Sequence, residues 1–361
     1  MEETRSPTEA LIFLRLPKKM AKLIIPKKLK KGDTIAFVSP SAGLAPFAGH
    51  RIEKARSFFE KNGYQVKIAK NALRNSGYVS APAKDRAQDL NEVFLDEDVK
   101  CIISTVGGNH SNQVLPYLDW EIIKNNPKIF VGYSDISVLH YAFQTQANLQ
   151  TYYGPCVMTQ FGESPEVFDY TWKYFQMALS DDLKKIRVAP SEFWTDDCSR
   201  DWSKGEDLQK ARKLNKNQGF LWLKEGRTQG RIVGGCVPSI NHLLGTKFWI
   251  DPKDSIFFID IPEGQQFNKG LSLSEVDSYL ADLYNVGVFD AIKGLIIGRP
   301  FGYSQDDFKA LADIILNQYV KGNDYPILAQ ANIGHADPII TIPYGSEAFL
   351  DSNRKIFEIE N

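Results

Sequence analysis

Three side chains of this chain of 361 residues could together activate a hydroxyl for attack on an acyl group: Ser134, Asp260 and His335. Serine hydrolysis needs a hydroxyl nucleophile, an imidazole to take its proton and a carboxylate to hold the imidazole in its reactive tautomer. Each of the three stands where a strand ends or a loop begins. Ser134 closes the run Phe130-Val131-Gly132-Tyr133 and opens a helix-like stretch reaching Phe143. Its hydroxyl would project from a tight turn, beside the amide that begins the helix. Asp260 ends Ser255-Ile256-Phe257-Phe258-Ile259, an apolar run expected of a strand covered on both faces. His335 follows Gly334, with Ala336-Asp337-Pro338 fixing the chain behind it. The order serine, acid, histidine is that of α/β-hydrolases, although no glycine stands two places after the serine. A plainer alternative stays open, in which Ser134 caps its helix and His335 is a surface loop residue.

The elements that must position these residues are legible as alternating strands and helices. Asp33–Val38 reads as a first strand closed by Ser39-Pro40-Ser41-Ala42-Gly43. Arg51–Asn62 reads as a helix with Ile52, Ala55, Phe58 and Phe59 on one face, then Gln65–Ala69 as a strand. Ala83–Leu95 follows as a helix and Val99–Thr105 as a strand. This βαβαβ rhythm implies a parallel sheet with helices on both faces, whose ligands sit outside the carboxyl ends of the strands. The loop Gly107-Gly108-Asn109-His110-Ser111-Asn112 should therefore share an edge with Ser134. Its paired glycines allow close backbone approach, making Gly107 and Asn109 candidate substrate contacts. Residues 1–19 read as a disordered extension, 20–180 as a nucleophile domain, 181–230 as a linker with a lid-like loop, and 231–361 as a second α/β domain. That second domain carries the acid and the histidine.

Composition narrows the function classes. A net charge of −1 gives no reason to expect nucleic acid or an anionic membrane as partner. No apolar run approaches the roughly 18 residues that span a bilayer. The four cysteines are far apart, and no histidine pair or HExxH spacing occurs, so no metal site is expected. The loop after the first strand lacks GxGxxG, so no dinucleotide cofactor is expected either. The basic N-terminal stretch has apolar pieces too short for a secretory signal, and its Glu2, Glu3 and Glu9 oppose a transit peptide. Met20 is an alternative start, and the cytoplasm is the expected location.

Several short motifs recur in a telling order. They are Gly32-Asp33-Thr34-Ile35 with Ser39-Pro40-Ser41, then Gly107 to Asn112, Gly132-Tyr133-Ser134-Asp135, and Gly334-His335 with Asp337-Pro338. From about Met20 to the C-terminus the chain resembles the LD-carboxypeptidases and the related microcin C self-immunity peptidases. The segment holding Trp194 and Trp202, and the Gly-His-Ala-Asp-Pro form of the last motif, lean toward the microcin-immunity branch. The resemblance implies an N-terminal flavodoxin-like α/β domain, a C-terminal α/β domain with a barrel-like sheet, and a homodimer with the site between domains. It implies a Ser-Glu-His triad without a cofactor, with Ser134 the nucleophile, His335 the base, and the amides of Gly108 and Asp135 the oxyanion donors. The implied reaction is hydrolysis of an amide next to a free carboxyl terminus, in a small peptide or aminoacyl conjugate.

Two departures from the family pattern stand out. Its acid is a glutamate where this chain has Asp260, which is one methylene shorter. Contact with His335 would then need a backbone shift of about 1 Å or a bridging water, with Glu263 as a fallback orienter or a substrate contact. Cys236 stands where an asparagine is expected. Arg299, in Gly298-Arg299-Pro300, is a candidate for gripping the substrate carboxylate. A non-catalytic small-ligand-binding protein on the same fold is the rival expectation, and a nucleotide-binding protein a further one.

Overall fold

The computed structural model describes residues 22–361, so the expected extension at 1–19 lies outside the described residues. The fold is α/β, with two main sheets. The first is built from β1 (Thr34–Val38), β2 (Gln65–Ile68), β3 (Val99–Ser104), β4 (Ile129–Gly132) and β5 (Tyr152–Tyr153). They lie side by side in the order β2-β1-β3-β4-β5, all parallel. This is the flavodoxin-like order, in which the direction of winding reverses between β1 and β3. The three inner strands β1, β3 and β4 are almost wholly buried, as their unbroken apolar runs require. Helices Gly49–Lys61 and Ala83–Leu95 pack Ile52, Ala55 and Phe59, and Ala87, Leu90 and Phe94, into that core.

The stretch expected to be a linker and lid contributes to the second sheet. It holds β6 (Lys185–Arg187), the separate two-stranded pair β7 (Phe193–Trp194) and β8 (Asn215–Lys216), and β9 (Leu221–Lys224). Next come β10 (Arg227–Cys236), β11 (Ile256–Asp260), β12 (Gly294–Gly298) and β13 (Ile327–Ala331), then β14 (Ile342–Pro343), β15 (Glu347–Asp351) and β16 (Ile356–Glu360). The second sheet runs β6-β16-β15-β10-β11-β12-β13-β9 and curls into a half-barrel. Its middle, β10 to β13, is parallel, and antiparallel strands flank it on both sides. The C-terminal hairpin β15–β16 carries no local mark beyond short alternating runs, and its partners β10 and β6 are remote in sequence. The two sheets interlock, because β14 leaves the C-terminal half to pair with β5 as the sixth strand of the first sheet.

Helix Leu273–Asn285 is fixed by a capping box between Ser272 and Glu275, and helix Gln305–Ile314 by the matching pair Ser304 and Asp307. These caps set where the chain turns back toward β12 and β13. Among the described residues, no helix is long and apolar enough to cross a membrane.

Candidate active site

The site forms where the carboxyl ends of β4 and β11 face each other, with the His335 loop after β13 between them. Ser134 follows β4 directly and sits at φ 63°, a left-handed conformation that few non-glycine residues adopt. Its hydroxyl caps no helix. The helix from Ser137 to Ala147 is preceded by a single 3₁₀ turn over Ser134–Ile136, and the Ser134 Oγ points instead at His335. The Oγ lies 2.9 Å from His335 Nε2, and His335 Nδ1 lies 2.9 Å from Asp260 Oδ1. All three side chains are drawn from segments more than 70 positions apart, yet they form one continuous chain of contacts.

The shorter acid reaches the imidazole directly at 2.9 Å, so the contact needs no bridging water. Gly334 is the reason. It sits at φ 92°, and a Cβ there would fall 1.8 Å from Asp260 Oδ1. Without a side chain at 334, the backbone entering His335 can press against the carboxylate. The other oxygen, Asp260 Oδ2, accepts a 2.5 Å hydrogen bond from the Tyr153 hydroxyl. Burial and the nearby Asp260 charge hold that phenol well above its usual range, so it remains a donor. Tyr153 also receives the Ser134 amide at 3.4 Å. Its sequence context, Tyr152-Tyr153-Gly154-Pro155, suggests only a turn, and nothing local marks it as a partner of residue 260.

The glycine loop lies against the serine, as its place after β3 predicts. A Cβ on Gly107 would sit 2.8 Å from Ser134 Oγ and 3.4 Å from the Asp135 amide nitrogen. Only glycine leaves that space to a reacting group. Asp135 ties loop and turn together. Its buried Oδ2 accepts hydrogen bonds from Ser41 Oγ at 2.6 Å, from the His110 amide at 2.9 Å and from the Ser111 amide at 2.8 Å. The Ser111 hydroxyl returns a bond to the Asp135 carbonyl at 2.7 Å. Ser41, from the loop after β1, thus belongs to the support of the site. His140, buried one helical turn on, links Thr151 to the Gly132 carbonyl and braces the end of β4.

In front of these residues opens a cleft of about 450 Å³, walled by Phe47, Trp202, Phe301, Arg212, Glu263 and His335 among others. Glu263 places Oε2 3.7 Å from His335 Nε2, the nitrogen that faces the serine, so it does not stand in for Asp260 at Nδ1. Burial alone would push the His335 imidazole down, but Asp260, Glu263 and Asp337 outweigh it and raise it to about 9. Arg299 is not among the residues lining this cleft. It stacks on Trp194 at 4.4 Å, bonds Asn217 Oδ1 at 2.9 Å, and is lowered by burial to about 10. The guanidiniums in the cleft are those of Arg200 and Arg212, from the stretch read as a linker with a lid-like loop. Arg212 Nη1 meets Asp337 Oδ2 at 2.5 Å and Glu163 Oε2 at 3.4 Å, while Arg200 Nη2 meets Glu163 Oε1 at 3.0 Å. Behind them, fully buried Arg51 joins Asp207 at 2.6 Å and lies 4.0 Å over the Trp202 ring. Among the described residues, the group able to offer three ligand atoms to a metal is Cys236, Asp260 and His335, whose donor atoms lie within 4.8 Å of one another.

Residues 35–154 match the LD-carboxypeptidase N-terminal domain and residues 229–350 match the LD-carboxypeptidase C-terminal domain. The putative carboxypeptidase YocD of Bacillus subtilis is 32% identical, over 90% of this chain and 95% of its own. The microcin C7 self-immunity protein MccF of Escherichia coli is 30% identical, over 92% of this chain and 94% of its own. A structure of MccF in complex with glutamyl sulfamoyl guanosine superposes with a TM-score of 0.84, covering 93% of this chain and 98% of that one. An MccF-like protein from Bacillus anthracis str. Ames is similar, with a TM-score of 0.83 and 34% identity over 93% of this chain and 99% of its own.

Proposed function

The chain belongs to the LD-carboxypeptidase family, and we propose that it is a serine peptidase or amidase that hydrolyses an amide next to a free carboxyl terminus. The observation that carries this reading is the unbroken contact chain from Ser134 Oγ through the His335 ring to Asp260. Ser134 Oγ forms a bond to the substrate carbonyl carbon as its proton passes to His335 Nε2. The developing oxyanion takes hydrogen bonds from the amides of Gly108 and Asp135, whose surroundings are held open by Gly107 and locked by the Asp135 carboxylate. His335 then delivers the proton to the leaving nitrogen, and the carbon–nitrogen bond breaks. Water attacks the acyl-enzyme by the same two proton transfers in reverse order, restoring Ser134. Asp260 holds Nδ1–H throughout, and Tyr153 holds Asp260.

Substrates of three kinds fit the family: L,D-linked muropeptides, aminoacyl nucleotides of the sort bound by MccF, and other small peptide conjugates. A fluorophosphonate probe followed by peptide mapping tests the reading. Labelling of Ser134 that disappears in His335→Ala is expected. Folded protein that leaves Ser134 unlabelled and turns over none of the three substrate kinds would instead favour the non-catalytic binding protein. The same reading carries a homodimer, which light scattering on the eluting protein checks.

A further inference from the structure

Resting on that proposed reaction, we infer that Glu263 selects substrates whose acyl residue bears a free ammonium group on the carbon next to the scissile carbonyl.

The cleft's other charges are already engaged. Arg212 is held by Asp337 and Glu163, and Arg200 by Glu163 together with the Ser164 and Lys210 carbonyls. Asp197 accepts from the Ser199 and Lys213 amides, and Asp201 pairs with Lys204. Glu263 differs. Its side chain is about one-third exposed at the cleft wall, and its sole charged neighbour among the described residues is His335 Nε2 at 3.7 Å. No hydrogen bond to the carboxylate is present among the described residues. A carboxylate partly removed from water without donors is costly, and an arriving cation with N–H groups offsets that cost.

Geometry says which cation fits. Ser134 Oγ and Glu263 Oε2 lie 2.9 Å and 3.7 Å from the same nitrogen, so they are within about 7 Å of each other. An ammonium two bonds from the attacked carbon, at about 1.5 Å per bond, bridges that gap while the carbonyl sits on the serine. A nitrogen farther out on a side chain is not constrained to that spot. The ammonium would also replace the imidazolium as the counterion of Glu263, releasing His335 to act as a neutral base once substrate is bound.

The test compares free-amine and N-acetylated forms of the same amides, using L,D-dipeptides and aspartyl sulfamoyl adenosine, on native protein and Glu263→Gln. Hydrolysis is followed by chromatography, and binding to Ser134→Ala by calorimetry. The native protein should prefer the free amine by about 30-fold, the size of one charge-assisted hydrogen bond, and Glu263→Gln should bring the ratio near unity. Taken as a ratio of kcat/KM values, the comparison cancels the effect of the substitution on His335 of the free enzyme, which both forms meet alike. In native protein the pH midpoint of kcat for the free amine should lie below that of kcat/KM. Hydrolysis of both forms at equal rates, or a preference untouched in Glu263→Gln, overturns the inference and leaves the proposed reaction standing. Preferential binding of the free amine without turnover of any member supports the inference and removes the reaction. Neither binding nor turnover of either form removes both.

Discussion

The least forgiving positions are single residues whose substitution leaves neighbours intact but chemistry undone. Ser134→Ala should lower kcat by about 10³-fold or more without disturbing the fold, checked by single-turnover kinetics beside circular dichroism. Gly334→Ala is a subtler case. Its added methyl must displace Asp260, so a cost of about 1–3 kcal/mol in urea unfolding should accompany loss of the His335–Asp260 contact. His335 supplies the pH behaviour. Only its neutral ring can accept the Ser134 proton, and the ring is raised to about 9 chiefly by Asp260 and Glu263 against burial. The kcat/KM should therefore rise with pH through about 9, and Asp260→Asn should move that midpoint downward as well as reduce the rate. Stability follows the opposite sign. A folded-state value above the ordinary 6.5 means that the imidazolium's contribution is fully present below that pH and lost as pH climbs through about 9.

At the scale of elements, the site depends on how the loops after β1, β3 and β4 are stitched together. Asp135 is the stitch, with one carboxylate oxygen serving Ser41 and two amides of the glycine loop. Asp135→Ala would leave those donors facing one another in a buried space. The expected cost is about 3 kcal/mol in stability, with a fall in kcat that exceeds any rise in KM, because the oxyanion donors lose their placement. Urea titrations and steady-state kinetics on the same preparation separate the two effects.

Across the whole molecule, a buried ion network joins the two halves around the cleft. Glu163 from the first half receives Arg200 and Arg212 from the connecting stretch, and Arg212 reaches Asp337, two residues beyond His335. The connecting stretch is therefore anchored on both sides, at Glu163 and next to His335. Burial, with the nearby Glu163 charge, raises the Asp337 carboxyl against the pull of Arg212 and Gln160. Arg212→Met should cost about 3–5 kcal/mol by leaving the buried Asp337 carboxylate without its cation, while Glu163 keeps Arg200. It should also expose residues 198–216 to limited proteolysis, since that stretch would then be held near Asp337 only through the Thr195 backbone bonds.

The strand–helix alternation of the first half, the turn at Ser134, the glycine loop beside it and the framed His335 could all be read from the chain, because each is written in local residue types. Apolar runs of strand length, glycine where backbone must come close, and an acid at the end of β11 need no partner to be recognised. That Asp260 ends β11 was legible too, but not its reach. Whether an aspartate could touch His335 depended on Gly334, 74 positions away, lacking a side chain in the space the carboxylate fills. Tyr153, Ser41 and the Arg212–Asp337 pair were hidden for the same reason. Their roles exist only once distant segments meet, and hydrogen bonds between such segments leave no periodicity in sequence. Tertiary packing also moved Arg299 away from the cleft, onto Trp194, and left Glu263 alone at its wall. Which charges are spent and which remain available is a property of the folded neighbourhood, since every arginine looks equally free along a chain.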